Sequence, residues 1–179
     1  MIKITYFVHG TTTDNENGIA SGWSDAELSN LGIQQAKNLK SKVATDFDAI
    51  FCSDLKRAVD SANIIWGNKH KIISDKRLRE CDYGKYNGGS SAIVEPMQEK
   101  MAIERFPDGE SYEDVKDRIA SFLKFLRKNY DGKNVAIVAH KAPQLALDVL
   151  LKGKTWEQAF AEDWRKTKAW QPGWKYILE

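Results

Sequence analysis

The sequence predicts an α/β fold in which a mostly parallel sheet is covered by helices on both faces, a three-layer α/β/α sandwich. Three observations carry this prediction. Short β-branched and aromatic runs without internal Gly or Pro alternate with stretches of helical period through all 179 residues. Runs such as Val135-Ala136-Ile137-Val138-Ala139 are continuously apolar, as strands buried on both faces are. No repeat, linker or low-complexity segment interrupts the chain, so residues 1–179 read as one domain.

The first strand is Ile2-Lys3-Ile4-Thr5-Tyr6-Phe7-Val8, and it stops at His9-Gly10. Glycine lets the backbone turn sharply and approach a ligand, and the residues from Thr11 through Thr12 to Asn15 follow with hydrogen-bond donors. Trp23 should pack under the turn-rich segment after them. Ser29 can cap a helix to about Ala44 with Leu31, Ala36, Leu39 and Val43 as its apolar stripe. Residues 47–52 form the second strand. Ser53 then caps a helix over residues 54–66, which sets Arg57 in or near the first turn. Residues 71–74 are the third strand and lead to Glu80. The glycines of residues 84–91 lack nucleotide-loop spacing and read as turns, with a helix expected over residues 92–105. Ser111 and Asp114 form a capping box for a helix with core face Val115, Ile119, Phe122, Leu123 and Leu126. The fourth strand, residues 134–139, ends in His140, and a packed helix over residues 142–151 follows. Trp156, Trp164, Trp170 and Trp174 suit packing better than ligand stacking, and residues 173–178 read as an edge strand.

Composition narrows the partners. Hydrophobic residues make up 42% and charged residues 29%, an ordinary globular balance, and a net charge of +2 gives no nucleic-acid footprint. The densest basic cluster, Arg165-Lys166-Thr167-Lys168, reads as a solvated face. No apolar run reaches membrane-spanning length and no signal core precedes the first strand, so a cytoplasmic location is expected. Cys52 and Cys81 are too few for a disulfide framework and are expected as reduced thiols.

In open α/β sheets ligands bind beyond the carboxyl ends of the strands, which is where His9, Arg57, Glu80 and His140 fall. If His9 and His140 end neighbouring strands, their rings converge where Arg57 and the helix starts supply positive potential. Two imidazoles, a guanidinium and a carboxyl describe a phosphate site: a neutral imidazole can attack phosphorus, and Glu80 can protonate the departing alcohol and then activate water. The chemistry requires no cofactor and no metal. His70 sits in a polar turn without paired carboxylates, so a metal site on the three histidines is not expected.

The motifs "VHGTTTDN", "GWSDAELSNLGIQQAKNL", "DAIFCSDLKRAVDSA", "LRECDYGKYNG", "FPDGESYEDVKDR" and "NVAIVAHKAP", in this order over nearly the whole chain, resemble the histidine phosphatase superfamily, the phosphoglycerate-mutase-like proteins. The resemblance implies a phosphoglycerate-mutase-like fold with His9 as the phosphorylated nucleophile. It further implies that Arg57 and His140 hold the phosphoryl oxygens, that Asn15 helps hold phosphate, and that Glu80 is the general acid. Two positions depart from the family pattern. Val8 stands where the family has arginine, and Lys141 follows His140 where the family has glycine. Lys141 is expected to reach the pocket and partly replace the missing cation, although an ammonium lacks the guanidinium fork. A solvated lysine is the alternative.

Rival readings differ in class. Cys52 and Arg57 bracket four residues, whereas cysteine phosphatases, by family resemblance, need five. A non-catalytic phosphate-binding or scaffold module, suggested by Val8, would need neither the nucleophile nor the acid. A mutase would need an enclosing lid, and the span from Glu80 to Pro107 is short for one. The expected activity is therefore hydrolysis of a small phosphorylated metabolite. Neither the leaving group, which suits sugars, nucleotides or organic acids alike, nor the oligomeric state follows from the sequence.

Overall fold

A computed structural model describes residues 1–43, 46–67, 69–168, 171 and 173–179. Its central sheet is built from β1 (Ile2–Val8), β3 (Ala49–Cys52), β4 (Ile72–Ser74), β6 (Asn134–Ala139) and β7 (Trp174–Leu178), while the two-residue strands β2 (Ile19–Ala20) and β5 (Gly89–Ser90) pair separately. The strand order is β4-β3-β6-β1-β7, with β4, β3, β6 and β1 parallel and β7 antiparallel along one edge.

Helices cover both faces, as the sequence predicts. The helices α2 (Asn30–Lys40) and α3 (Lys56–Trp66) bury Ala36, Ala62, Ile65 and Trp66 against Phe7, Ile50 and Val138. On the other face, α5 (Tyr112–Asn129) and α6 (Lys141–Lys152) pack against Ile4, Tyr6, Phe51 and Ile137. Each such buried aliphatic or aromatic side chain is worth about 1.5–3 kcal/mol relative to exposure. The short helices are α1 (Thr13–Glu16), α4 (Ser91–Val94), α7 (Trp156–Ala161) and α8 (Trp164–Thr167). Among the described residues, no helix is long and apolar enough to cross a membrane.

Local chemistry accounts for most element ends. The Ser111 hydroxyl accepts from Asp114 N–H and the Asp114 carboxylate accepts from Ser111 N–H, closing the expected capping box, and all five predicted core residues of α5 are buried. Ser29 caps α2 through Gly32 N–H, while the expected end near Ala44 lies outside the described residues. Leu31 is a correction to the expected stripe: it is 53% exposed, and Gly32 takes the inner face beside the expected Ala36. Ser53 is a second correction. It accepts from Leu55 N–H and braces the turn before α3, which begins at Lys56 without a side-chain cap. Nor is the expected helix over residues 92–105 continuous. Pro96 has no N–H for Ala92, so the segment breaks into α4 and two 3-10 turns, Glu95–Met97 and Lys100–Ala102. The turns expected over residues 84–91 include a 3-10 turn, Gly84–Tyr86, but end in β5, paired with β2.

Trp156, Trp164 and Trp174 pack as expected, Trp156 stacked on Phe160 at 5.5 Å and Trp164 tilted against Trp174 at 5.8 Å. Trp170 lies outside the described residues.

Candidate active site

Parallel pairing of β1 with β6 runs to Val8 opposite Ala139, so the next residues of both strands, His9 and His140, emerge side by side. Their ring centroids are 5.0 Å apart. His9 N–H donates to Ala139 carbonyl, continuing the ladder by one residue. His140 is the N-cap of α6, and its backbone is clamped by Tyr6, whose hydroxyl donates to His140 carbonyl at 2.7 Å and accepts from His140 N–H at 2.9 Å. The Tyr6 clamp is a device that strand periodicity does not announce, because Tyr6 is also an ordinary inward core residue.

Burial and the neighbouring Arg57 charge push the His9 imidazole down to about 3, so its ring is neutral. Its Nδ1 lies 2.7 Å from Gly10 carbonyl, which can only accept. The proton of the neutral ring therefore sits on Nδ1, and Nε2 carries the lone pair. Burial, with Arg57 and His9 adding to it, also holds His140 well below the ordinary imidazole range, and neither of its ring nitrogens has a protein partner among the described residues.

A cleft of about 60 Å³ brings His9, Asn15, Arg57, Glu80 and Lys141 together. Arg57 occupies the first turn of α3, only 3% exposed, and donates from Nη1 to Ser24 carbonyl and from Nη2 to Gly22 carbonyl. Two of its five N–H groups thus fix the loop over residues 22–24, leaving others for an anion. Glu80 is pinned from several sides. Its Oε1 accepts from Cys81 N–H and Ala142 N–H, and its carbonyl accepts from Trp23 Nε1 and Arg118 Nη2. The other carboxyl oxygen is the one left for chemistry. Trp23 thereby holds Glu80 from behind, with the Arg79 guanidinium over its ring at 4.7 Å, and does not line the cleft.

Asn15 sits in α1, its Oδ1 accepting from Thr12 N–H, so its amide NH₂ remains for the cleft. Lys141, the first residue of α6, is 5% exposed and lines the cleft, which excludes the solvated alternative. Burial and then the Arg165 charge push its ammonium down to about 8. Of the residues expected to touch phosphate, Gly10 and Thr12 do not line the cleft. Gly10 N–H is spent on Ser61 Oγ, and Thr12 is fully buried with its hydroxyl capping α1 through Asn15 N–H.

Arg165 is the residue that sequence reasoning assigned to solvent, yet it lines the cleft with Glu95, Gln98 and Tyr83. Nothing local announces it, since its place depends on how the carboxyl-terminal segment crosses the strand ends. His70 precedes β4 and so lies at the opposite end of the sheet from His9. Cys52 is fully buried, and burial lifts its thiol to about 11, an inert state for a nucleophile. A separate hollow of about 450 Å³, along Lys3, Phe7, Phe47 and Lys175, contains none of these groups.

Comparison with known proteins gives the family and the fold. The sequence profile of the Histidine phosphatase superfamily (branch 1) matches residues 6–174. Phosphoserine phosphatase 1 of Hydrogenobacter thermophilus is 30% identical over 166 residues, covering 86% of this chain and 77% of that protein. A 2,3-bisphosphoglycerate-dependent phosphoglycerate mutase of Allorhizobium ampelinum is 32% identical over 168 residues, covering 84% and 79%. Among solved structures, mycobacterial glucosyl-3-phosphoglycerate phosphatase superposes with a TM-score of 0.77 at 27% identity, covering 89% of this chain and 86% of that one. With histidines on adjacent strand ends and a profile match over nearly its whole length, the chain belongs to the histidine phosphatase superfamily, branch 1.

Proposed function

We propose that the protein is a phosphomonoesterase that hydrolyses a small phosphorylated metabolite through a phosphohistidine on His9. The observation carrying this reading is the neutral His9 ring with its proton committed to Gly10 carbonyl, which leaves Nε2 as a nucleophile beside Arg57, His140 and Lys141.

In the first step Nε2 attacks phosphorus, the bond from phosphorus to the alcohol oxygen breaks, and Glu80 in its acid form gives the alcohol its proton. The ring becomes a phosphorylated imidazolium whose Nδ1–H stays on Gly10 carbonyl. In the second step Glu80 as carboxylate takes a proton from water, the water oxygen attacks phosphorus, and the P–N bond breaks to return neutral His9 and phosphate. Arg57, His140, Asn15 and Lys141 hold the phosphoryl oxygens. Lys141 supplies the charge that Val8, packed against the core, does not. Gly10 and Thr12 act one step back, fixing the loop that carries His9 and Asn15.

Hydrolysis is favoured over transfer between hydroxyls because the span from Glu80 to Pro107 contains only α4, β5 and isolated 3-10 turns, little with which to keep water from a phosphohistidine. Phosphate release from a panel of phosphorylated metabolites and p-nitrophenyl phosphate, measured beside His9→Ala, tests the reading. The expected result is turnover in the native protein and a loss of at least about 10³-fold in the variant. Equal background turnover in both would favour a binding module, and interconversion of phosphoglycerates without net phosphate release would favour a mutase.

A further inference from the structure

Glu95 and Arg165 meet across the cleft from two segments that lie outside the central sheet, the turns after α4 and the carboxyl-terminal stretch. Arg165 Nη2 lies 3.1 Å from Glu95 Oε1, and the two side chains are 36% and 50% exposed. Behind Arg165 is Asp163, fully buried, whose Oδ1 accepts from Arg165 N–H and whose Oδ2 lies 3.6 Å from Arg165 Nε with no hydrogen-bond partner of its own among the described residues. The guanidinium is thus braced from inside by a buried carboxylate and faced from outside by a half-exposed one.

A partly exposed pair of this kind holds weakly, so a ligand can replace it at little cost. What can replace it is restricted by charge. A carboxylate alone would satisfy Arg165 while adding a negative charge against Glu95, and an ammonium alone would satisfy Glu95 while adding a positive charge against Arg165. A group carrying both exchanges each partner for an equivalent one.

Resting on the phosphomonoesterase reading of the same cleft, we infer that Arg165 and Glu95 form a leaving-group subsite for a zwitterion, so that the substrate is a phosphorylated hydroxy-amino acid. Arg165 takes the carboxylate, Glu95 takes the ammonium, and Asp163 positions Arg165.

Binding of unreactive phosphonates tests this without requiring turnover. Calorimetry on the full chain compares 2-amino-4-phosphonobutanoate with 4-phosphonobutanoate, which lacks the amine, and with 3-aminopropylphosphonate, which lacks the carboxylate. The amino acid phosphonate is expected to bind at least about tenfold more tightly than either, with that preference lost in Arg165→Gln and in Glu95→Gln. Retention of binding by both variants to the phosphonate lacking the group they would contact keeps misfolding apart from loss of the subsite. Equal binding of all three phosphonates, or an undiminished preference in both variants, overturns the subsite. A preference that holds while no phosphoester is hydrolysed leaves the subsite standing and removes the phosphatase reading instead.

Discussion

At the scale of single residues, Lys141 is the cleft cation whose charge pH can report. Its ammonium is surrounded by Glu80, Glu95 and Asp163 and by the like charge of Arg165, and burial with that like charge pushes it down to about 8. It is a cation below that pH and neutral above it. If it holds a phosphoryl oxygen, kcat/KM falls as pH rises through about 8, whereas kcat falls at a higher pH because bound phosphate keeps the ammonium charged. Lys141→Ala is expected to lower kcat/KM for a small phosphomonoester at pH 7 by about 10- to 100-fold, less than the loss of a fixed oxyanion donor, and to abolish the alkaline limb. An unchanged kcat/KM in that variant removes Lys141 from the site.

At the scale of elements, the His9 loop is shaped by a backbone contact with α2. A Cβ on Gly10 would stand 2.5 Å from Gly32 carbonyl oxygen, and one on Gly32 would overlap Thr11 carbonyl oxygen, so the helix start and the loop touch without side chains between them. Gly32→Ala must push that loop outward, and with it His9 and Asn15. The expected cost is about 1–3 kcal/mol in a urea titration, with turnover of p-nitrophenyl phosphate falling in the fraction that stays folded. Unaltered stability and turnover would show that the loop gives way freely.

The same scale explains what could be read beforehand. The buried strands and α5 were legible because composition and capping chemistry there are local: a run such as residues 135–139 has few alternatives, and Ser111 with Asp114 marks its own helix end. His9, Arg57, Glu80 and His140 were legible because strand ends in such a sheet converge. Tyr6, Arg118 and Arg165 were not, since each acts on a group 38 or more residues away or through a crossing of segments that no local pattern encodes. The helix expected over residues 92–105 is broken instead, and the missing N–H of Pro96 was the available signal.

At the scale of the whole molecule, the sheet joins the site to stability, because its two central parallel strands must bury two imidazoles side by side. Both rings are held neutral, His9 down to about 3 and His140 well below its ordinary value, each by burial first and then by Arg57. In the unfolded chain both titrate near 6.5. Below that value, and for His9 down to about 3, the unfolded state binds protons that the folded state refuses, so unfolding becomes easier as pH falls. His9 contributes up to about 1.4 kcal/mol per pH unit, or about 2 kcal/mol between pH 6.5 and 5, and His140 acts in the same direction. The paired carboxylates act in a lower window. Asp114, held to about 2 chiefly by Arg105, loses its contribution only as pH falls below about 4. Unfolding free energies from urea titrations at pH 7.5 and pH 5 are therefore expected to differ by at least about 2 kcal/mol in the native protein, with a smaller difference in His9→Asn, whose amide does not titrate. Identical stability at the two pH values would mean that the imidazoles accept protons in place, and His9 would then lack the lone pair on which its attack on phosphorus depends.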